Sequence, residues 1–338
     1  MKKLISLICV LAMVLALAAC GSSAPAAATE APAASTEAPA EDVSADKTFV
    51  VGICQLVQHP ALDAATQGFK DALTEALGDK VTFQEQNASG DSATCSLICN
   101  QFVSDEVDLI MANATASIQA AASATNTIPI LGTSITDYGV ALGVDNWTGV
   151  SGTNISGTSD LAPLDGQAAM IQELFPDAKT IGLLYCSGEP NSIFQADSME
   201  ALLTDMGYSV ERYTFADSND VSSVTANACS NSDVLYIPTD NTAASCTEAI
   251  NNVALGAGIP IVAGEEGIAS GCGVATLSIS YYDLGHATGE MAAEILTEGA
   301  DISTMEVRFA PAFTKEYNAD ICEALNITVP EDYVAIAK

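Results

Sequence analysis

From Phe49 almost to the end of the chain, apolar runs of five or six residues alternate with amphipathic stretches of about twelve to fifteen. Phe49 to Ile53 predicts a strand, Gln55 to Pro60 a loop, and Ala64 to Leu77 a helix whose apolar face carries Phe69 and Leu73. The same order returns about 130 positions later, with Ile181 to Tyr185 as strand, Cys186 to Asn191 as loop and Phe194 to Met206 as helix. The next unit repeats as well. Val107 to Met111 leads through Asn113-Ala114-Thr115 into a small-residue helix, and Ser232 to Ile237 leads through Thr239-Asp240-Asn241 into another. Ile128-Pro129 then matches Ile259-Pro260, each opening a short buried strand, and His59-Pro60 aligns with Glu189-Pro190.

Strands alternating with helices in this way indicate βαβ units and parallel sheets covered on both faces. The repeat predicts an α/β fold of two Rossmann-like lobes with parallel sheets, joined by a multi-segment hinge. Lobe one is expected at residues 47–156 plus 283–299, and lobe two at 157–282 plus 300–338. The crossing segments fall near Gly149 to Gly157, Ile279 to Asp283 and Val307 to Phe313. Two facing lobes leave a cleft between their carboxyl-end loops, where ligands of open α/β sheets bind and helix N-termini point.

The N-terminus adds a location. Lys2-Lys3 precedes an apolar run from Leu4 to Ala19, which is a secretory signal peptide over residues 1–19 and too short for a stable span. Its ending, Leu17-Ala18-Ala19-Cys20, matches the bacterial lipobox, and that match implies cleavage before Cys20 and lipid attachment to it. Residues 20–46, almost entirely Ala, Pro, Ser, Thr and Glu, have too few large apolar side chains to offset the entropy of ordering and read as a disordered linker. The expectation is an extracytoplasmic protein held to the cell membrane by its lipid alone. No later segment approaches the ~20 apolar residues of a spanning helix.

Charge narrows the partners. The chain has 43 acidic and 10 basic residues, a net charge of −33, so nucleic acid and anionic membrane surfaces are poor partners. Eight cysteines remain beyond Cys9 and Cys20, widely spaced and several within apolar stretches, where Cys acts as a small hydrophobe. Cys95 and Cys99 sit one helical turn apart, but His59 and His286 are the only histidines. Core packing is the expectation, with no metal and no cofactor.

Polar residues gather just after the predicted strands. The cleft candidates are Gln55, His59, Ala114, Thr115, Thr136, Asp137, Glu189, Asn191, Ser192, Asp240, Asn241 and Glu265. Thr115 and Ser192 at helix starts suit a carboxylate, and Asp240 or Glu189 suits an ammonium group. Each is also an ordinary helix cap taken singly; the set, converging from both halves, reads as a site. An enzyme fits poorly, because His59 is the one plausible cleft base and no Gly-x-Ser-x-Gly elbow or phosphate-binding glycine loop follows a strand.

The stretch Gln55 to Asp63 with Gly68-Phe69 resembles the opening of the type I substrate-binding proteins of ABC transporters assigned to tryptophan and tyrosine uptake. Asn113 to Thr115, Ser134 to Asp137, Ser151 to Gly157, Glu189 to Ser192, Asp240-Asn241 and Tyr282 to Gly285 are similar in the same order. The resemblance implies a monomer that closes on a small molecule, an aromatic amino acid, and hands it to an ABC permease. Tyr138, Tyr281 or Tyr282 would then face the ligand's side chain, one of the last two from a strand. A branched-chain amino acid, a nucleoside or a sensing role fits the same architecture. Two positions depart from the family, Ala116 and Tyr138, where proline is common.

Overall fold

The computed structural model describes residues 47–310 and 312–337, so the expected signal peptide, the expected lipidation at Cys20 and the expected linker lie outside the described residues. The first half runs β1 (Phe49–Gln55), α1 (Pro60–Leu77), β2 (Val81–Asn87), α2 (Ser92–Ser104), β3 (Leu109–Asn113), α3 (Thr115–Ala124), β4 (Ile130–Ile135), α4 (Tyr138–Leu142) and β5 (Ile155–Ser159). Next come α5 (Leu164–Leu174), β6 (Thr180–Cys186), α6 (Pro190–Asp205), β7 (Ser209–Phe215), α7 (Val221–Asn231) and β8 (Val234–Ile237). They are followed by α8 (Asn241–Ser245), α9 (Thr247–Ala257), β9 (Ile261–Ala263), α10 (Glu266–Cys272) and β10 (Ala275–Ser278). The remainder is α11 (Tyr281–Glu298), β11 (Arg308–Phe309), β12 (Thr314–Tyr317), α12 (Ala319–Leu325) and β13 (Val334–Ala335).

Two sheets form. The first has the order β11-β5-β4-β3-β1-β2 and the second β13-β12-β10-β9-β8-β6-β7. Their inner orders, β2-β1-β3-β4-β5 and β7-β6-β8-β9-β10, are the same, so the repeat in the sequence is a repeat in the structure. Every residue of β3 and of β8 is buried, as a parallel strand covered by helices on both faces requires. In each sheet the first strand lies between the second and the third, which opens a crevice at the carboxyl ends. That crevice holds the candidate site.

Long-range pairing moves several expected boundaries. β5 stays whole in the first sheet, paired with β4 from Ile130–Ile155 to Ile135–Ser159, so lobe one runs past Ser156. The first crossing is then at residues 160–163, and Gly149 to Gly157 is not a crossing. β11 pairs Arg308 with Thr158 and Phe309 with Ser159, which puts that part of the tail with lobe one as well. The other crossings are Ile279-Ser280 and the stretch between Phe309 and Thr314. The second sheet is mixed, because β12 runs antiparallel to β10. Tyr281 and Tyr282 open α11 and lie on no strand. The described cysteines are all free thiols, buried except for half-buried Cys246.

Tyr138 does not face a ligand. Its ring stacks on Trp147 with centroids 5.7 Å apart. Its hydroxyl lies 3.0 Å from the Gly132 carbonyl oxygen and 3.2 Å from that of Thr158, plugging the irregular pairing between β4 and β5. Gly157 (φ 140°) lets the strands close around this phenol, where a methyl group would overlap the Gly132 carbonyl. Tyr138→Phe should therefore cost about 1–3 kcal/mol in denaturant unfolding by leaving buried carbonyls unpaired. Ligand affinity measured on the same variant should stay near wild type.

Candidate functional site

The site is assembled from strand ends whose loops are fixed by their own hydrogen bonds. After β1, Gln55 donates from Nε2 to the Val57 carbonyl at 2.9 Å and to Asp63 Oδ1 at 2.6 Å, and accepts from Thr66 Oγ1 at 2.6 Å. Gln55 is thus consumed in holding the loop. That loop ends in His59, which caps α1 ahead of Pro60. The His59 ring is buried, its Nε2 lies 3.3 Å from Asn241 Oδ1 on the other lobe, and its Nδ1 has no partner. Burial holds its pKa below the ordinary value, so the ring is neutral at physiological pH. If Nε2 donates to Asn241, Nδ1 is left as a bare acceptor.

Strain marks two neighbouring strand ends. Ala114, before α3, has φ 86°, and Ser134 at the end of β4 has φ 56°. Non-glycine residues persist there only where their surroundings over-determine them, and such positions cluster at ligand sites. Ser134 Oγ is buried without a partner. Thr136 Oγ1 meets Thr239 Oγ1 of lobe two at 3.3 Å, and Gln195 donates to the same Thr239 hydroxyl at 2.5 Å.

Asp160 follows β5 directly and begins the first crossing. Its Oδ2 accepts from the Tyr281 hydroxyl at 2.9 Å, while its buried Oδ1 has no partner. Burial pushes its pKa up to about 6, against the opposing hydrogen bond from Tyr281.

The lobe-two carboxylates are occupied by the fold. Asp240 caps α8, taking the Ala243 amide on Oδ1 at 2.8 Å and the Cys186 amide on Oδ2 at 2.6 Å. Burial, then the neighbouring Glu189 charge, raises its pKa. Glu189 caps the same short helix from a distance, accepting from the amides of Asn241 at 3.0 Å and Thr242 at 2.9 Å. Glu265 caps α10 through the amides of Gly267 at 2.6 Å and Ile268 at 2.5 Å, and burial lifts it to about 7. Neither Asp240 nor Glu189 therefore offers an empty oxygen to an ammonium group.

One enclosed cavity lies where these residues meet. Of the candidates, His59, Thr136, Asn191, Asp240, Asn241, Glu265 and Tyr281 line it. Gln55, Ala114, Thr115, Asp137, Glu189 and Ser192 do not; Asp137 caps α4 through Val140, and Ser192 is buried beneath Asn191. Leu62, Asp160, Thr239 and Ala244 were not among the sequence candidates, and Ser134 entered only as part of the stretch Ser134 to Asp137. Asp160 had little local signal, since β5 before it reads Ile-Ser-Gly-Thr-Ser, unlike the apolar β8 and β9 that precede Asp240 and Glu265. The cavity holds about 10 Å³, about one water's worth, so an amino acid enters only if the lobes part. Two larger cavities adjoin it, about 310 Å³ beside Glu265 and Tyr281 and about 300 Å³ beside Asn241.

Comparison with known proteins agrees with this fold. A family profile described as ABC transporter substrate binding protein matches residues 50–338. A Clostridioides difficile (strain R20291) protein named tyrosine-binding protein is 38% identical over 280 residues, spanning 82% of this chain and 81% of its own. A Streptococcus pneumoniae ABC domain in complex with L-Trp is 31% identical, covering 84% of this chain and 97% of that one, with a TM-score of 0.80. The ligand-free, open structure of CD0873, a substrate binding protein with adhesive properties from Clostridium difficile, is 37% identical and covers 86% and 99%. Its TM-score is only 0.66. Lower similarity at higher identity is the signature of a different lobe arrangement, and the hydrogen bonds across the cleft here are those of a closed form. Among the described residues no helix is long and apolar enough to cross a membrane. Substrate-binding proteins of this kind bind solutes and work outside the cytoplasm. This chain belongs to the ABC transporter substrate-binding protein family and has its type I, two-lobed fold.

Proposed function

We propose that this protein captures an aromatic amino acid, tyrosine or tryptophan, by closing its lobes and delivers it to an ABC permease. One observation carries the reading: His59 Nδ1, Ser134 Oγ and Asp160 Oδ1, all buried in the wall of one cavity, have no hydrogen-bond partner. Buried polar atoms are almost always paired, so three orphans in one place await a ligand. An ammonium group brings three donors to these three acceptors, and Asp160 supplies the charge. α1, α3 and α6 start just after the carboxyl ends of β1, β3 and β6, where helix N-termini favour a ligand's carboxylate. The names of the two relatives, one tyrosine-binding and one in complex with L-Trp, support an aromatic side chain.

Closure pivots on residues 160–163, Ile279-Ser280 and the stretch between Phe309 and Thr314. The protein acts as a monomer outside the membrane, tethered through lipid on Cys20, with no part in nucleic-acid binding. Titration calorimetry of the purified protein against tyrosine, tryptophan, phenylalanine, leucine and a nucleoside tests this. Binding of tyrosine or tryptophan ahead of the others is the expected result. Binding of leucine or the nucleoside alone would move the assignment to that class, and binding of none would remove it.

A further inference from the structure

Three carboxyl groups line the enclosed cavity, Asp160, Asp240 and Glu265, and no Lys or Arg is among its lining residues. All three are almost fully buried, and Asp160 keeps an unpartnered Oδ1 there. They come from both lobes. The Asp160 amide donates to the Ile135 carbonyl of the first sheet, whereas Asp240 and Glu265 follow β8 and β9 of the second. Asp160 is also tied to the hinge, because Tyr281, its phenol partner, stands just past the second crossing.

The surroundings provide no cation. The phenols of Tyr281 and Tyr138 and the Glu265 carboxyl face Asp160. Glu266 and the Cys272 thiol face Glu265, and Glu189 and the Cys186 thiol face Asp240. His59, beside Asp63 and Glu189, is the one ionisable base in the wall; burial lowers its pKa, so its protonation in the open cleft opposes closure below the ordinary value, one group against the raised carboxyls. Closing the lobes thus gathers like charges into a space with almost no water, where the charged form of each is disfavoured.

We propose that cleft closure is gated by charge: the lobes meet when a ligand's ammonium balances Asp160, the carboxylate that keeps a free oxygen, or when protons neutralise the cavity's carboxyl groups, so that acid closes the empty protein as an amino acid does near neutrality. The ligand half rests on the amino-acid reading; the proton half stands without it. The direction follows from the buried state. Asp160 is raised from 3.8 to about 6 and Glu265 from 4.5 to about 7, so the closed form holds its full stability below the ordinary values. It loses that stability as pH rises through about 6 and about 7. A closed empty cleft admits no ligand, so mild acid slows capture as well.

Small-angle scattering on the purified protein from about pH 8 down to about pH 5 tests the gate across this window. The radius of gyration should be larger at the alkaline end and fall, on acidification, to the value that saturating tyrosine gives at the alkaline end. Asp160→Asn, and separately Glu265→Gln, should move the midpoint of that compaction to higher pH. A radius independent of pH while tyrosine still compacts the protein would overturn the gate, and so would two variants that leave the midpoint unmoved. Compaction by acid without any effect of tyrosine, tryptophan or other amino acids would instead overturn the amino-acid reading and keep the proton gate.

Discussion

Asp160→Asn should weaken the binding of tyrosine or tryptophan by about 1.5–3 kcal/mol, roughly a 10- to 150-fold rise in Kd, the scale of a hydrogen bond to a charged group. The substitution keeps the shape and the acceptor for the Tyr281 hydroxyl, but it removes the charge that would face an ammonium group. The variant's ligand-free melting temperature should hold or rise, since a buried carboxyl raised to about 6 is ionised at neutral pH at a cost to the fold. Weaker binding with an equally stable protein separates ligand recognition from structural damage. Calorimetry and a thermal melt on one preparation give both numbers. Unchanged affinity for every amino acid would take Asp160 out of the site.

Gly285→Ala should be among the most destabilising small substitutions in lobe one, costing about 3 kcal/mol or more, the upper end of overpacking. α11 crosses α1 at Gly285 and Gly68, where backbone meets backbone. A methyl group on Gly285 would overlap the Ala65 carbonyl, and one on Gly68 the Tyr282 carbonyl. Neither neighbour is a flexible side-chain end, so relief requires the helices to move apart. α1 begins at Pro60 beside His59 and α11 begins at Tyr281, so separating them displaces two walls of the cavity. The melting temperature should fall by roughly 10 °C at 2–4 °C per kcal/mol, with ligand affinity falling too. A melt that matches wild type would show that the helices have slack the structure does not suggest.

How far the sequence reaches can be judged from particular residues. Phe49 to Ile53 and Ile181 to Tyr185 declare strands by local pattern, and their recurrence with the same helices and prolines is enough for two like sheets. The cleft at the strand ends follows, because parallel strands in βαβ units present the same end to one side. His59, Thr136, Asn191, Asp240, Asn241 and Glu265 were placed at the cleft in this way, and each lines the cavity. Their roles were not legible. A carboxylate after a strand looks the same whether both its oxygens are taken, as in Asp240 and Glu265, or one is left free, as in Asp160. Only the partner decides, and the partner of Asp160 is Tyr281, 121 residues away. The same holds for Tyr138, which local sequence places at the cleft and tertiary packing turns into a plug between β4 and β5. Arg308-Phe309 is too short a strand to announce its sheet, and β5 claims it for lobe one. Periodicity and turn chemistry are written within a few residues and fix the elements and their order. Hydrogen-bond partners, crossing points and buried charge arise between segments far apart in the chain, so only the folded structure decides which atoms are left free to bind.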